Sequence, residues 1–60
     1  MLRLPKGLRE IDGKYYRLVK VFKKKRLAIL YAKRLRKFTL ARVFRLKKGW
    51  GVYRFDGYAI

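Results

Sequence analysis

Several side-chain types are missing or scarce in this 60-residue chain, and each absence removes a class of function. The chain has no cysteine, which excludes disulfides and thiolate metal sites, and no histidine, the usual general base and metal ligand. Serine is also absent, and the three carboxylates, Glu10, Asp12 and Asp56, lie towards the two ends of the chain. The sequence therefore favours a protein that is not an enzyme and has no cofactor, metal or small-molecule substrate.

The chain also lacks asparagine and glutamine, and its only threonine is Thr39. Depletion of thermolabile amides together with many charged residues is typical of hyperthermophile proteins, so we expect such an origin. The longest uncharged run, Leu27–Ala32, is far too short to span a membrane, and no secretory signal is evident at the N-terminus. We therefore expect a cytoplasmic protein.

Positive charge is what the chain has in excess. Nineteen Lys and Arg residues stand against three acids, which gives a net charge of +16 and a sequence pI near 11.1. No carboxylate occurs between Gly13 and Phe55. A small domain with this balance repels itself and condenses on polyanions, so a nucleic-acid partner is expected.

One helix is predicted within Phe22–Phe38. Ala28, Tyr31, Ala32 and Leu35 recur at helical spacing, and the two alanines allow close packing on a sheet. Its start carries Lys23–Arg26 where a capping side chain and acids are usual, because the free N–H groups and the helix dipole favour negative charge there. This basic start is either a phosphate site or a solvated turn, and the lack of a nearby acid favours phosphate.

The remaining pattern predicts strands. Leu8–Ile11 and Lys14–Phe22 flank Asp12-Gly13, a strong hairpin signal, and Thr39–Leu46 is joined to Trp50–Phe55 by a three-residue turn, Lys47–Gly49. A further turn is expected at Asp56-Gly57, before residues 58–60. The prediction is a single α+β domain over residues 8–60 after an N-terminal arm, 1–7, with one helix on one face of a three- to four-stranded antiparallel sheet and the order β-α-β-β plus an optional N-terminal strand.

Strand alternation assigns the two sheet faces. The helix-covered face is expected to hold the small and branched residues Val19, Val21, Ala41, Val43 and Val52. The open face is expected to hold Tyr16, Leu18, Lys20, Leu40, Arg42, Phe44, Leu46, Tyr53 and Phe55. Aromatic and basic side chains interleave on this open face as in sheets that stack single-stranded bases, although a second copy of the chain or the N-terminal arm could equally cover it.

A family resemblance follows from the helix pattern. Phe22, Ala28, Ala32 and Leu35 form a Phe-x5-Ala-x3-Ala-x2-Leu pattern after a strand, with Ala41, Val43 and Val52 beyond. Over roughly residues 15–55 this resembles the first β-α-β-β half of a SPOR domain, a family of bacterial cell-wall binders. The resemblance implies a fold rather than a function. In composition the chain is similar to small basic proteins of archaeal ribosomes.

The sequence thus favours a nucleic-acid-binding protein, with RNA, particularly ribosomal or other structured RNA, ahead of DNA. Alternatives are a DNA-coating chromatin-type protein, a homodimeric interaction module that uses the open sheet face, or a basic helix on a membrane surface. The candidate contact residues are Lys20, Lys23, Lys24, Lys25, Arg26, Arg42, Lys47 and Lys48, together with the aromatic side chains of Tyr16, Phe44 and Tyr53.

Overall fold

A computed structural model describes residues 7–58 and confirms the predicted α+β class, with one helix packed on a curled four-stranded antiparallel sheet. The sheet order is β1-β2-β4-β3, so the two central strands come from different hairpins. The elements are β1 (Leu8–Ile11), β2 (Lys14–Phe22), α1 (Lys25–Leu35), β3 (Ala41–Leu46) and β4 (Gly49–Tyr58). Most of the predicted N-terminal arm, residues 1–6, and the last two residues lie outside the described range.

The first hairpin forms as expected. Asp12 and Gly13 both have positive φ, 50° and 74°, which is the backbone conformation that a type I′ two-residue turn requires. Ile11 pairs with Lys14 across this turn, and the ladder continues to Gly7, whose carbonyl accepts a hydrogen bond from the Leu18 N–H. The turn chemistry alone fixes this register.

The helix is shorter than the stretch predicted for it, but the predicted face is the buried one. Ala28 and Ala32 are fully buried against Ala41 and Val52, with Tyr31 and Leu35 half-buried at the margin of the same cluster. Because alanine has no side chain beyond Cβ, the helix axis can approach the sheet closely. Phe22, Val43 and Trp50 complete this first core from the strands.

A bulge in β2 overturns part of the predicted face assignment. Leu18 pairs with Tyr53 but Lys20 pairs with Val52, so Val19 is an extra residue and the alternation reverses there. Lys20 consequently lies on the helix side rather than on the open face. The predicted burial of Val19 and Val21 beneath the helix is wrong as well, since these side chains remain 39% and 38% exposed.

Two predicted turns are also corrected. Leu46 pairs with Gly49, so the second hairpin has a two-residue loop, Lys47-Lys48, rather than a three-residue one. Asp56-Gly57 is not a turn: β4 runs through it to Tyr58 and absorbs the extra residue in a second bulge opposite Tyr15 and Tyr16. An aspartate–glycine pair is thus compatible with a bulge as well as with a hairpin turn.

The sheet face away from the helix is not the open surface that the alternation suggested. Tyr16 and Tyr53 are only 2% and 4% exposed, and the Phe44 ring meets Tyr53 edge-to-face at 5.5 Å. The Arg9 guanidinium on β1 lies 4.7 Å from the centre of the Phe44 ring, although two strands separate β1 from β3 in the sheet. The sheet therefore curls far enough for its outer strands to approach each other, and this face forms a second small core.

Candidate nucleic-acid interface

The helix begins without any of the usual stabilising groups. Lys24 occupies the N-cap position with extended backbone angles, φ −111° and ψ 133°, and its side chain makes no capping hydrogen bond. The first turn contains no acidic residue, as the sequence predicted. The N–H groups of this turn therefore lack a protein anion, and Lys23–Arg26 add four positive charges beside them.

The tip of the β3–β4 hairpin lies against this helix start. A Cβ atom added to Gly49 would overlap the carbonyl oxygen of Phe22 and touch the Cα of Lys23. Gly49 also has a φ of 144°, in the region that residues with a side chain rarely adopt. A glycine at this position is therefore what allows the Lys47-Lys48 loop to sit beside the Lys23–Arg26 segment.

Trp50 lies between the two basic segments. The Lys25 ammonium is 5.2 Å from the centre of its ring, and the Arg45 guanidinium, from the residue paired with Trp50 across the hairpin, is 5.9 Å away. Both distances fall within the range of a cation–π contact. We call this group of seven cations the basic end: Lys23, Lys24, Lys25, Arg26, Arg45, Lys47 and Lys48.

Negative charge lies far from the basic end. Glu10 and Asp12 belong to the first hairpin, and Asp56 lies in the bulge opposite Tyr15 and Tyr16. From Tyr16 to Phe22, where the basic end begins, β2 spans about 20 Å at ~3.3 Å per residue. Within residues 7–58 a single ion pair forms, between Arg17 and Asp56 at 3.2 Å, and it is largely solvent-exposed.

The other candidate contact residues lie in different parts of the structure. Lys20 lies on the helix side of β2, with its ammonium 5.2 Å from the centre of the Phe22 ring. Arg42, exposed on β3, shares the second core's face with Phe44, Tyr16 and Tyr53. Because Tyr16 and Tyr53 are buried, their ring faces are occupied by the fold itself and are closed to stacking bases.

The sequence reasoning missed Arg45 of the basic end and the neighbouring Trp50. Neither Arg45 nor Trp50 was among the candidate contacts. The register across a two-residue Lys47-Lys48 loop places Arg45 opposite Trp50 and would have identified both. Assuming a three-residue turn obscured that pairing.

Comparison with known proteins does not assign the chain to a family. No protein-family model matches the chain, and no curated protein or solved structure is detectably similar to it. The resemblance to SPOR domains therefore stays a prediction. Within residues 7–58, no helix has the length and apolarity needed to cross a bilayer, and no three His, Cys or acidic side chains gather as a metal site would require.

Proposed function

We propose that the protein binds RNA through phosphate contacts at the basic end, with little sequence specificity. The observation that carries this proposal is the convergence of two cationic segments, far apart in the chain, around Trp50 and at the opposite end of β2 from Glu10, Asp12 and Asp56. Packing alone does not require this arrangement, because the side chains of Lys23, Lys24, Lys47 and Lys48 are exposed.

Electrostatics explains why a polyanion would complete the site. Like charges held close together repel one another, and the uncapped helix start adds a partial positive charge of its own. A phosphate backbone would offset both the repulsion between the cations and the positive charge of the helix start, and it would release its condensed counterions on binding. Several cations in a cluster can follow consecutive phosphates without contacting bases, which gives affinity without sequence readout.

The shape of the basic end supports structured RNA over specific DNA sites. It is formed by a helix start and a hairpin loop, whereas readout of duplex DNA usually lays a helix or ribbon along the major groove. The alanine face of α1 is turned towards the sheet, so the helix does not project from the domain. The composition, with no Asn or Gln and many cations, supports a cytoplasmic role on ribosomal or other structured RNA in a hyperthermophilic archaeon.

Salt dependence of binding tests the proposal. Affinity for an RNA hairpin, followed by the fluorescence of Trp50, should fall linearly with salt on a double-logarithmic plot. Replacing Lys47 and Lys48 by Ala should lower the slope by about 1.4–1.8, since each lost phosphate contact accounts for about 0.7–0.9. The control is a Lys33→Ala/Lys37→Ala variant, which removes the same charge from exposed positions near the other end of the helix.

Two results would overturn the proposal. Equal slopes for the two double variants would mean that net charge, and not the basic end, sets binding. Failure of the wild-type protein to bind RNA near physiological salt would remove the function itself. Duplex DNA measured in parallel tests the preference, since DNA bound as tightly as RNA would indicate a DNA-coating protein instead.

A further inference from the structure

A shallow apolar groove runs along the helix, on the flank that faces β2. It is lined by Phe22, Leu27, Leu30, Tyr31 and Arg34. The four helical residues recur at i, i+3, i+4 and i+7, so they form a second stripe beside the buried alanine stripe. Leu27 and Leu30 are 45% and 52% exposed, which leaves two large aliphatic side chains in water on a 60-residue protein.

The aromatic side chains of the groove do not offer a stacking platform. The rings of Phe22 and Tyr31 are 5.4 Å apart and inclined by 52° to each other. The Lys20 ammonium lies 5.2 Å from the first ring centre and 5.9 Å from the second. A flat nucleobase would have to displace Lys20 and would then meet two rings in different planes. Branched aliphatic side chains can instead pack between the leucines without stacking on either ring.

The charge around the groove restricts its occupant further. Arg34 lines it and Lys20 borders it, while the acidic side chains of residues 7–58 belong to the first hairpin and the bulge near Tyr15. A second copy of this chain that paired groove to groove would bring the same cations face to face on two molecules of +16. The complementary partner carries apolar anchors flanked by carboxylates.

We propose that this groove docks an acidic amphipathic segment of a partner protein, whose aliphatic side chains pack on Leu27 and Leu30 and whose carboxylates pair with Lys20 and Arg34. Recognition of this kind, an amphipathic helix laid in an apolar groove, reads anchors at i, i+3, i+4 and i+7. The groove adjoins the basic end, because Phe22 pairs with Trp50 across β2 and β4, but Leu27, Leu30 and Arg34 are not among the seven basic-end cations. The protein would therefore join a nucleic acid to a protein.

A synthetic peptide of leucine and glutamate, with leucine at i, i+3, i+4 and i+7, is the probe, and a scrambled peptide of equal composition is its control. Near physiological salt, Leu27→Ala/Leu30→Ala should weaken binding of the patterned peptide about tenfold or more, from the lost apolar contact area. Ile29→Ala, a change on the same helix at a 39% exposed residue outside the groove, should alter binding less than about twofold.

The affinity for RNA separates this proposal from the one above, because the groove variant should bind the RNA hairpin as tightly as the wild type. Equal binding of patterned and scrambled peptides would overturn the docking proposal, since charge alone would then explain it. Loss of RNA affinity in the groove variant would assign the groove to nucleic acid. Self-association in sedimentation that the groove variant abolishes would assign it to a second copy.

Discussion

Gly49 lies in direct contact with the backbone of Phe22, so closely that a single added methyl group would overlap the Phe22 carbonyl oxygen. This contact joins the β3–β4 hairpin to the start of α1, and through it two basic segments become one surface. Gly49, which has no side chain, therefore sets the distance between the Lys47-Lys48 loop and the Lys23–Arg26 segment.

Gly49→Ala should destabilise the fold by about 2–3 kcal/mol, because alanine would be strained at φ 144° and would also clash with Phe22. The control is Gly13→Ala, which is strained at φ 74° but meets no atom within 4 Å and should cost about 1 kcal/mol. Chemical denaturation measures both. Equal losses would show that backbone strain alone, and not the close approach, makes glycine necessary at position 49.

Lys24→Ser should stabilise the protein by about 1 kcal/mol while weakening RNA binding. The extended backbone at this N-cap position already suits serine, whose hydroxyl can accept a hydrogen bond from the first turn of the helix. Lys23→Ser removes an equal charge one residue outside the cap and is the matched control. If both variants gained the same stability in thermal unfolding, relief of charge repulsion would be the cause rather than capping.

Tyr53→Leu should cost about 1–2 kcal/mol of stability and leave RNA affinity unchanged. Leucine keeps much of the apolar volume in the second core but loses the edge-to-face contact with Phe44. Denaturation and RNA titration on the same preparation give the two quantities. A folded variant with several-fold weaker RNA binding would mean that the Tyr53 ring stacks on a base after all.

Much of the fold follows from local rules. The Asp12-Gly13 turn, the alanine face of the helix and the uncapped basic start depend on residues close together in the chain, and each was predicted from spacing or turn chemistry. The sheet order β1-β2-β4-β3 was not among the predictions, because it depends on which strands of the two hairpins lie next to each other.

The errors share a different cause. Strict alternation was carried through β2 and β4, yet the extra residue at Val19 reverses the faces and sends Lys20 to the helix side. A bulge bends and twists the strand that contains it, and the bulge at Val19 has no neighbouring glycine or proline to mark it in the sequence. Tyr16 and Tyr53, which were expected on an open face, are buried in the second core. The lysines of the helix start and of the hairpin loop lie at one end of the sheet.

Val52 and Tyr53 are neighbours on β4, but their side chains lie on opposite faces of the sheet. Val52 packs beneath the helix, and Tyr53 packs in the second core. The two cores are therefore built on the two faces of one sheet. Disrupting one core should therefore weaken the other, and we expect residues 7–58 to unfold in a single cooperative transition.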